Sequence, residues 1–258
     1  MGVLNVTPDS FSDGGLFLDV EAAVAHGVAM MDQGADVIDI GGASTRPGSE
    51  QPSENDEIAR VVPVVERLAA LGRARVSIDT LHEHVARAAI AAGASLLNDV
   101  SASLWPVAAD TGVGWAAMHM QGTPSTMQAD PHYDDVVGEV LGFLSDRAAT
   151  ARAAGISEVW IDPGFGFGKT VAHNLELLAR LGEFCATPYP VVVGISRKST
   201  LGALTPNPDG STPPPGDRLE ASIAAAVWAA TKGVGMVRVH DVAATVAAVR
   251  IVCDEVGT

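Results

Sequence analysis

Short apolar runs recur along the whole chain, at 2–6 (GVLNV), 37–40 (VIDI), 75–79 (RVSID), 96–100 (LLNDV), 115–120 (WAAMHM), 159–162 (VWID), 191–196 (VVVGIS) and 236–241 (MVRVHD). Most are apolar on both faces instead of alternating, which is the pattern of parallel strands covered on both sides. Between them lie Ala-rich amphipathic segments, at roughly 19–34, 54–71, 82–92, 104–111, 134–154, 171–184, 217–232 and 242–256. The second of these shows why such a segment is helical. Ser53 is placed to cap its first turn, and Glu54 and Asp56 sit at the positive end of the helix dipole. Ile58, Val61, Val62, Val65 and Leu68 then fall on one apolar stripe.

Eight strands alternating with eight helices in 258 residues predict a single (β/α)8 TIM barrel, with its active site at the C-terminal face of the strands. A doubly wound open sheet is the alternative, but the turn after its first strand would read G-x-G-x-x-G, and VLNVTPDSFSDGG does not. The Pro/Gly stretch 205–216, TPNPDGSTPPPG, is expected to be a loop inside the seventh unit, because the period resumes after it; residues 1–258 then form one domain.

Charge and composition narrow the function. A net charge of −15 opposes general nucleic-acid binding, so an anionic substrate would depend on a few placed cations. No long uncharged apolar run predicts a membrane span, and MGVLNVTPDSF lacks a signal peptide's basic start, so a cytoplasmic protein is expected. The two cysteines, Cys185 and Cys253, are expected to be reduced and buried.

The candidate chemistry lies where the apolar runs end. The successive ends carry Asn5, Asp39, Asp79, Asn98 with Asp99, His119, Asp162, Arg197 with Lys198, and Arg238 with His240 and Asp241. Any one of these suits a turn or a helix cap; eight such ends on one face of a barrel point to a site. Asp79, Asn98 and Asp162 offer acceptors and an amide for the edge of a nitrogen heterocycle, while Lys198, Arg238 and His240 offer cationic donors for phosphate oxygens. The loops 7–15 and 41–49, rich in Gly, Pro and hydroxyls, read as lids over that face. In DPGFGFGKT a phosphate-loop reading fails by count, since only three residues separate Gly164 from Gly168. The histidines show no paired zinc spacing.

The segments MGVLNVTPDSFSDGG, DIGGASTRPG, SIDT, NDVS, MHMQG, DPGFGFGKT, SRKS and RVHDV, in this order, resemble bacterial dihydropteroate synthase. The resemblance runs from Met1 to about Val242. It implies a TIM barrel, a homodimer, and the joining of 6-hydroxymethyl-7,8-dihydropterin pyrophosphate to 4-aminobenzoate, giving 7,8-dihydropteroate and pyrophosphate. Asp79, Asn98, Asp162 and Lys198 match the pterin-binding positions, with Met118 and Phe167 lining the pocket. Asn5, Thr45, Arg238 and His240 match the pyrophosphate end; Asn5 also matches a Mg²⁺ ligand, which Asp13 joins when the first loop closes. Phe11, Pro47 and Ser199 match the aminobenzoate site, which sulfonamides also occupy. The implied catalytic set is Asp79, Asp162, Lys198, Arg238 and His240.

The chain departs from the family pattern at Ala43, where a Glu is usual, and at Ala102, where a Gly is usual; a positive φ at Ala102 would cost about 1 kcal/mol. Two rival readings are a pterin-binding methyl-transfer barrel and a non-catalytic pterin-binding paralogue. SRKS and RVHD argue against the first, which has no use for a pyrophosphate clamp.

Overall fold

The computed structural model describes residues 1–7, 15–43 and 52–253. Strands β1 (Gly2–Asn5), β2 (Val37–Gly41), β3 (Arg75–Asp79), β4 (Leu96–Asp99), β5 (Gly114–Met118) and β6 (Val159–Asp162) pair in sequence order, all parallel. Strands β7 (Val192–Val193) and β8 (Met236–Val237) form a second parallel pair. Parallel bridges at Ile161–Val191 and Gly2–Val239 join the two groups at both seams, so the eight strands run around a closed ring. Every strand of the pattern is present. Only β7 and β8 are much shorter than their apolar runs.

The helices are α1 (Gly15–Asp32), α2 (Glu54–Ala70), α3 (Glu83–Ala91), α4 (Trp105–Thr111), α5 (Val136–Ala153), α6 (Val171–Ala179), α7 (Leu181–Cys185), α8 (Ser199–Leu204), α9 (Leu219–Thr231) and α10 (Val242–Cys253). Two features differ from the pattern. The segment 171–184 is broken at Arg180, which leaves helical geometry while bonding Glu176, Glu183 and Asp135. A short helix, α8, opens directly after Lys198, in a stretch to which the pattern gave no helix. The cap on α2 is as expected: Ser53 Oγ accepts from the Asp56 N–H at 3.2 Å. On the apolar face of α2, Val61, Val64, Val65 and Leu68 are fully buried, while Ile58 and Val62 are only partly so.

The core lies between strands and helices, with Ile38, Ile40, Ile78, Leu97 and Ile161 fully buried against helix residues such as Val65, Leu68, Val85, Val137 and Leu144. The cysteines correct the expectation. Both are free thiols, but Cys185 is only half-buried and Cys253 is exposed.

Ala102 does adopt the left-handed conformation, with φ 51°, in a fully buried turn after β4. Relief of that geometry by Ala102→Gly is worth about 1 kcal/mol, and the lost buried methyl costs about 0.8 kcal/mol. The two nearly cancel. Urea unfolding of Ala102→Gly is expected to lie within about 0.5 kcal/mol of the wild type; a gain above about 1 kcal/mol would mean that the methyl packs on nothing useful.

Candidate active site

The strand register sets the site. Gly41, Asp79 and Asn98 are paired neighbours on β2, β3 and β4, and Met118 pairs with Asp162 across β5 and β6. Alternate residues of a strand face the same side, so Asp39 on β2 lies one layer deeper than Asp79, beside Ser77 of β3. Arg238, just past β8, reaches across the ring between these layers. Its Nε donates to Asp39 Oδ2 at 2.6 Å, and its Nη2 donates to Asp79 Oδ2 at 2.7 Å. Asn98 Nδ2 donates to the same Asp39 oxygen at 2.9 Å.

Asp162 stands on the opposite side of the mouth, where Oδ1 accepts the Gly164 N–H at 2.8 Å. Gly194 after β7 leaves room between the two halves: a Cβ there would lie 3.7 Å from Arg238 and 4.0 Å from Asp162 Oδ2. Lys198 closes this side, with Nζ 3.9 Å from the centroid of the Phe167 ring. Met118 and Phe167 belong, with Val100 and Met127, to a small apolar cluster separate from the main core, flanked by Leu81 and Met120. The mouth therefore has a polar floor, an apolar wall and a cationic side.

Burial sets the protonation of this cluster. It raises Asp79 well above the usual carboxylate range; Arg238 opposes the rise and Asp39 adds to it. Asp162 is pushed up to about 6, again mainly by burial, against the Gly164 N–H and the nearby Lys198. Lys198 is lowered to about 8 by burial and by Arg238, although Asp162 and Asp79 favour its charge. His240 bonds Ser196 through Nδ1 at 3.1 Å and is lowered to about 4 by burial, then by Arg238 and Arg197. Burial and the neighbouring cations therefore both disfavour a charge on His240. The cations that depress it are those an incoming anion would offset.

Other polar strand ends serve structure. Asp99 accepts from Ser101 N, Leu104 N and Trp115 Nε1, fixing the turn into α4. Arg197, at φ 60°, is held there by a bidentate pair with Asp241, by its N–H on Ser222 Oγ, and by Arg218 on its carbonyl. His119 turns away from the mouth, its Nδ1 2.9 Å from the buried Lys169 Nζ, which also donates to Gly164 O and Phe167 O at 3.0 Å. Lys169 therefore pins the 163–168 loop by its own carbonyls and is not free for phosphate, in keeping with the failed phosphate-loop count.

At the rim, Asn5 ends β1 near Asp79, both close to the space a Cβ on Gly41 would take. Ser199 is exposed at the start of α8, next to Lys198. Phe11, Asp13, Thr45 and Pro47, and most of both expected lids, lie outside the described residues.

Residues 1–240 match the family model described as pterin binding enzyme. The dihydropteroate synthase of Escherichia coli K12 is 46% identical over 258 residues, covering 98% of this chain and 89% of that protein. That of Mycobacterium leprae is 45% identical over 260 residues, covering 98% and 91%. The structure of Xanthomonas albilineans dihydropteroate synthase with 4-aminobenzoic acid superimposes with a TM-score of 0.91 at 46% identity, covering 100% of this chain and 93% of that one. The same enzyme in complex with 7,8-dihydropteroate gives a TM-score of 0.88 at 45% identity, with the same coverage. The chain belongs to the dihydropteroate synthase family.

As a dihydropteroate synthase it is a transferase of folate synthesis, which sets the methyl-transfer reading aside. Sequence reasoning missed several parts of this synthase's mouth. Asp39 has no role that its place at a strand end suggests by itself, yet it binds both Arg238 and Asn98. Glu57 of α2, to which the sequence pattern assigned nothing, is fully buried, accepting from Thr80 Oγ1 and facing His82 Nδ1, both at 2.9 Å. It stands behind Asp79 and packs on Gly42, so a carboxylate does border the base of the second loop despite Ala43. Its position on the helix was legible only as a gap in hydrophobicity; its partners come from the turn between β3 and α3.

Proposed function

We propose that the mouth framed by Asp79, Asn98, Asp162, Lys198 and Arg238 binds the dihydropterin ring, with the methylene bearing its pyrophosphate directed to the rim formed by Asn5, Arg238 and His240. The carrying observation is the junction of three acceptor side chains with an apolar wall holding Lys198 against Phe167. Departure of pyrophosphate leaves a cation delocalised into the ring; Asp79 and Asp162 oppose that charge in a water-poor site, and Arg238 and His240 take up the charge growing on the leaving group. The arylamine of 4-aminobenzoate attacks the methylene from the side of Ser199, with Phe11 and Pro47 around it, and Thr45 holds the pyrophosphate from the second loop. No covalent enzyme intermediate is required. Sulfonamides, as arylamines of similar shape, compete for that position.

A Mg²⁺ ion belongs to this reading. Among the described residues no group of three His, Cys, Asp or Glu side chains is built to hold a metal. Asn5 supplies one neutral oxygen at the rim, which suits an ion that keeps several waters and takes its charged ligands from substrate phosphates. Asn5, joined by Asp13, would hold it, and its chemistry would be neutralisation of the pyrophosphate.

The test is pyrophosphate release from dihydropterin pyrophosphate with Mg²⁺, with and without 4-aminobenzoate. Release coupled to dihydropteroate formation is expected. Tight pterin binding without release would favour the non-catalytic reading.

Proton linkage gives a second check. Asp162 is raised to about 6 in the folded protein, so between pH 4 and 6 the folded state holds more protons than the unfolded one. Stability contributed by this group is therefore lost as pH rises through that window. Donors from the pterin edge favour the ionised carboxylate, so binding releases protons and affinity rises with pH up to about 6. Calorimetry at pH 6 in buffers of different ionisation heat measures this release; net uptake would remove Asp162 from the pterin site.

A cytoplasmic homodimer completes the proposal; among the described residues no helix is long and apolar enough to cross a membrane. The surface that supports a dimer is the apolar groove between α6 and α9, lined by Leu175, Leu178, Ala179, Ala225 and Trp228, where Trp228 remains 42% exposed. Trp228→Glu is expected to sediment as a monomer; an intact dimer would place the interface elsewhere.

A further inference from the structure

Asp39 is the most deeply placed ionisable group of the mouth, fully buried one layer below Asp79 and Asn98. Its Oδ2 carries two donors, Asn98 Nδ2 at 2.9 Å and Arg238 Nε at 2.6 Å, while its Oδ1 has no hydrogen-bond partner among the described residues. A carboxylate held with a bare oxygen in the interior is a poor choice for stability alone, since unsatisfied buried polar atoms are costly. The chemistry of its two partners says what it does. A carboxylate paired with a guanidinium is an acceptor only, so it can face the NH2 group of Asn98 and not the oxygen. The Asn98 oxygen then points the other way. Arg238 is gripped at Nε by Asp39 and at Nη2 by Asp79, so Asp79 can release its nitrogen to a ligand while Asp39 keeps the guanidinium in place.

We infer that Asp39 is a positioning residue that sets the polarity of the pterin floor: it orients Asn98 to present an acceptor to the heterocycle, and it retains Arg238 when Asp79 engages the substrate. The consequence is selectivity for a heterocycle whose buried edge carries N–H donors, over one whose edge carries carbonyl oxygens. This rests on the pterin site proposed above.

Asp39→Asn keeps the shape but lets either end of the new amide face Asn98, so the Asn98 amide loses its enforced orientation. The measurement is the affinity ratio for a 2-amino-4-oxo over a 2,4-dioxo dihydropteridine, with KM and kcat for dihydropterin pyrophosphate. The ratio is expected to narrow by about tenfold, the factor carried by one charge-assisted hydrogen bond, with the loss in kcat/KM residing mainly in KM. In an Asn98→Ala background the same substitution is expected to leave the ratio within about twofold, because its intermediary is gone. An unchanged ratio in the single variant, or an equal change with and without Asn98, would overturn the role of Asp39. Asn98→Ala with wild-type pterin affinity would displace the site itself, a separate failure. Should Asp39→Asn not fold, the wild type decides. The side-chain amide resonances of Asn98, identified by their loss in Asn98→Ala, are expected to be dispersed and protected from exchange before ligand is added; a fast-exchanging pair at random-coil shifts would contradict the fixed orientation.

Discussion

Arg238→Lys is expected to lower kcat/KM by about 100-fold, with the protein still folded. The substitution keeps the charge and removes the fork. Arg238 spans two carboxylates on neighbouring strands, Asp39 through Nε and Asp79 through Nη2. An ammonium on a four-carbon stem can sit by one of them and cannot hold both at these distances. One buried carboxylate is then left short of a partner, and losing such a pair costs on the order of 3 kcal/mol, which is about 100-fold in rate when it appears in the transition state. The loss should fall on kcat as well as KM, because the guanidinium is placed to meet the charge that grows on the departing pyrophosphate. Steady-state kinetics with a thermal melt of the same preparation would check it. Near-wild-type turnover would take Arg238 out of the leaving-group clamp and leave it a tie between strands.

Gly164→Ala is the second large effect, and it acts through the backbone. Gly164 has φ 69°, and a Cβ added there would lie 1.8 Å from the carbonyl oxygen of His119. Nothing flexible can yield, because that oxygen belongs to the end of β5, whose next N–H is already bonded to Asp162 O. Left-handed strain of about 1–2 kcal/mol and overpacking of about 1–3 kcal/mol together predict a loss of roughly 2–5 kcal/mol, or a melting temperature lower by roughly 5–15 °C. The functional loss should exceed the loss of stability. The Gly164 N–H is a hydrogen-bond donor to Asp162, its carbonyl accepts from Lys169, and the same loop brings Phe167 under Lys198. Gly142→Ala is the control: that glycine lies inside α5 with open space around it, so the change should stabilise by about 0.5–1 kcal/mol and leave kinetics alone. Equal melting temperatures for the two variants would show that the loop re-forms around the methyl group.

Gly164 and Lys169 differ in how much of their role is written in the sequence. Both stand in DPGFGFGKT, a segment conspicuous for its glycines and for one of only three lysines in the chain. That the segment is a turn follows from its composition. That Lys169 points inward, to His119 and the loop's own carbonyls, follows only from the approach of β5, about 50 positions back in the chain.

Local chemistry in the sequence determined the elements and their order. Apolar runs buried on both faces made parallel strands, Ala-rich stripes made helices, and eight repeats of that pair in 258 residues left a closed ring as the economical arrangement. It also determined which end of the ring carries chemistry, because the polar residue types stand at one end of every run. What the tertiary structure decided was the division of labour among those residues. Asp99, His119, Arg197 and Asp241 have the same chemical types as Asp79, His240, Arg238 and Asp162, yet the first set fixes turns and loops while the second faces the mouth. Composition at a strand end cannot separate them. The separation comes from which partner lies across the sheet: burial raises Asp99 as it raises Asp79 and Asp162, but Asp99 is held by the N–H groups of its own turn, whereas Asp79 meets Arg238 from the far side of the ring.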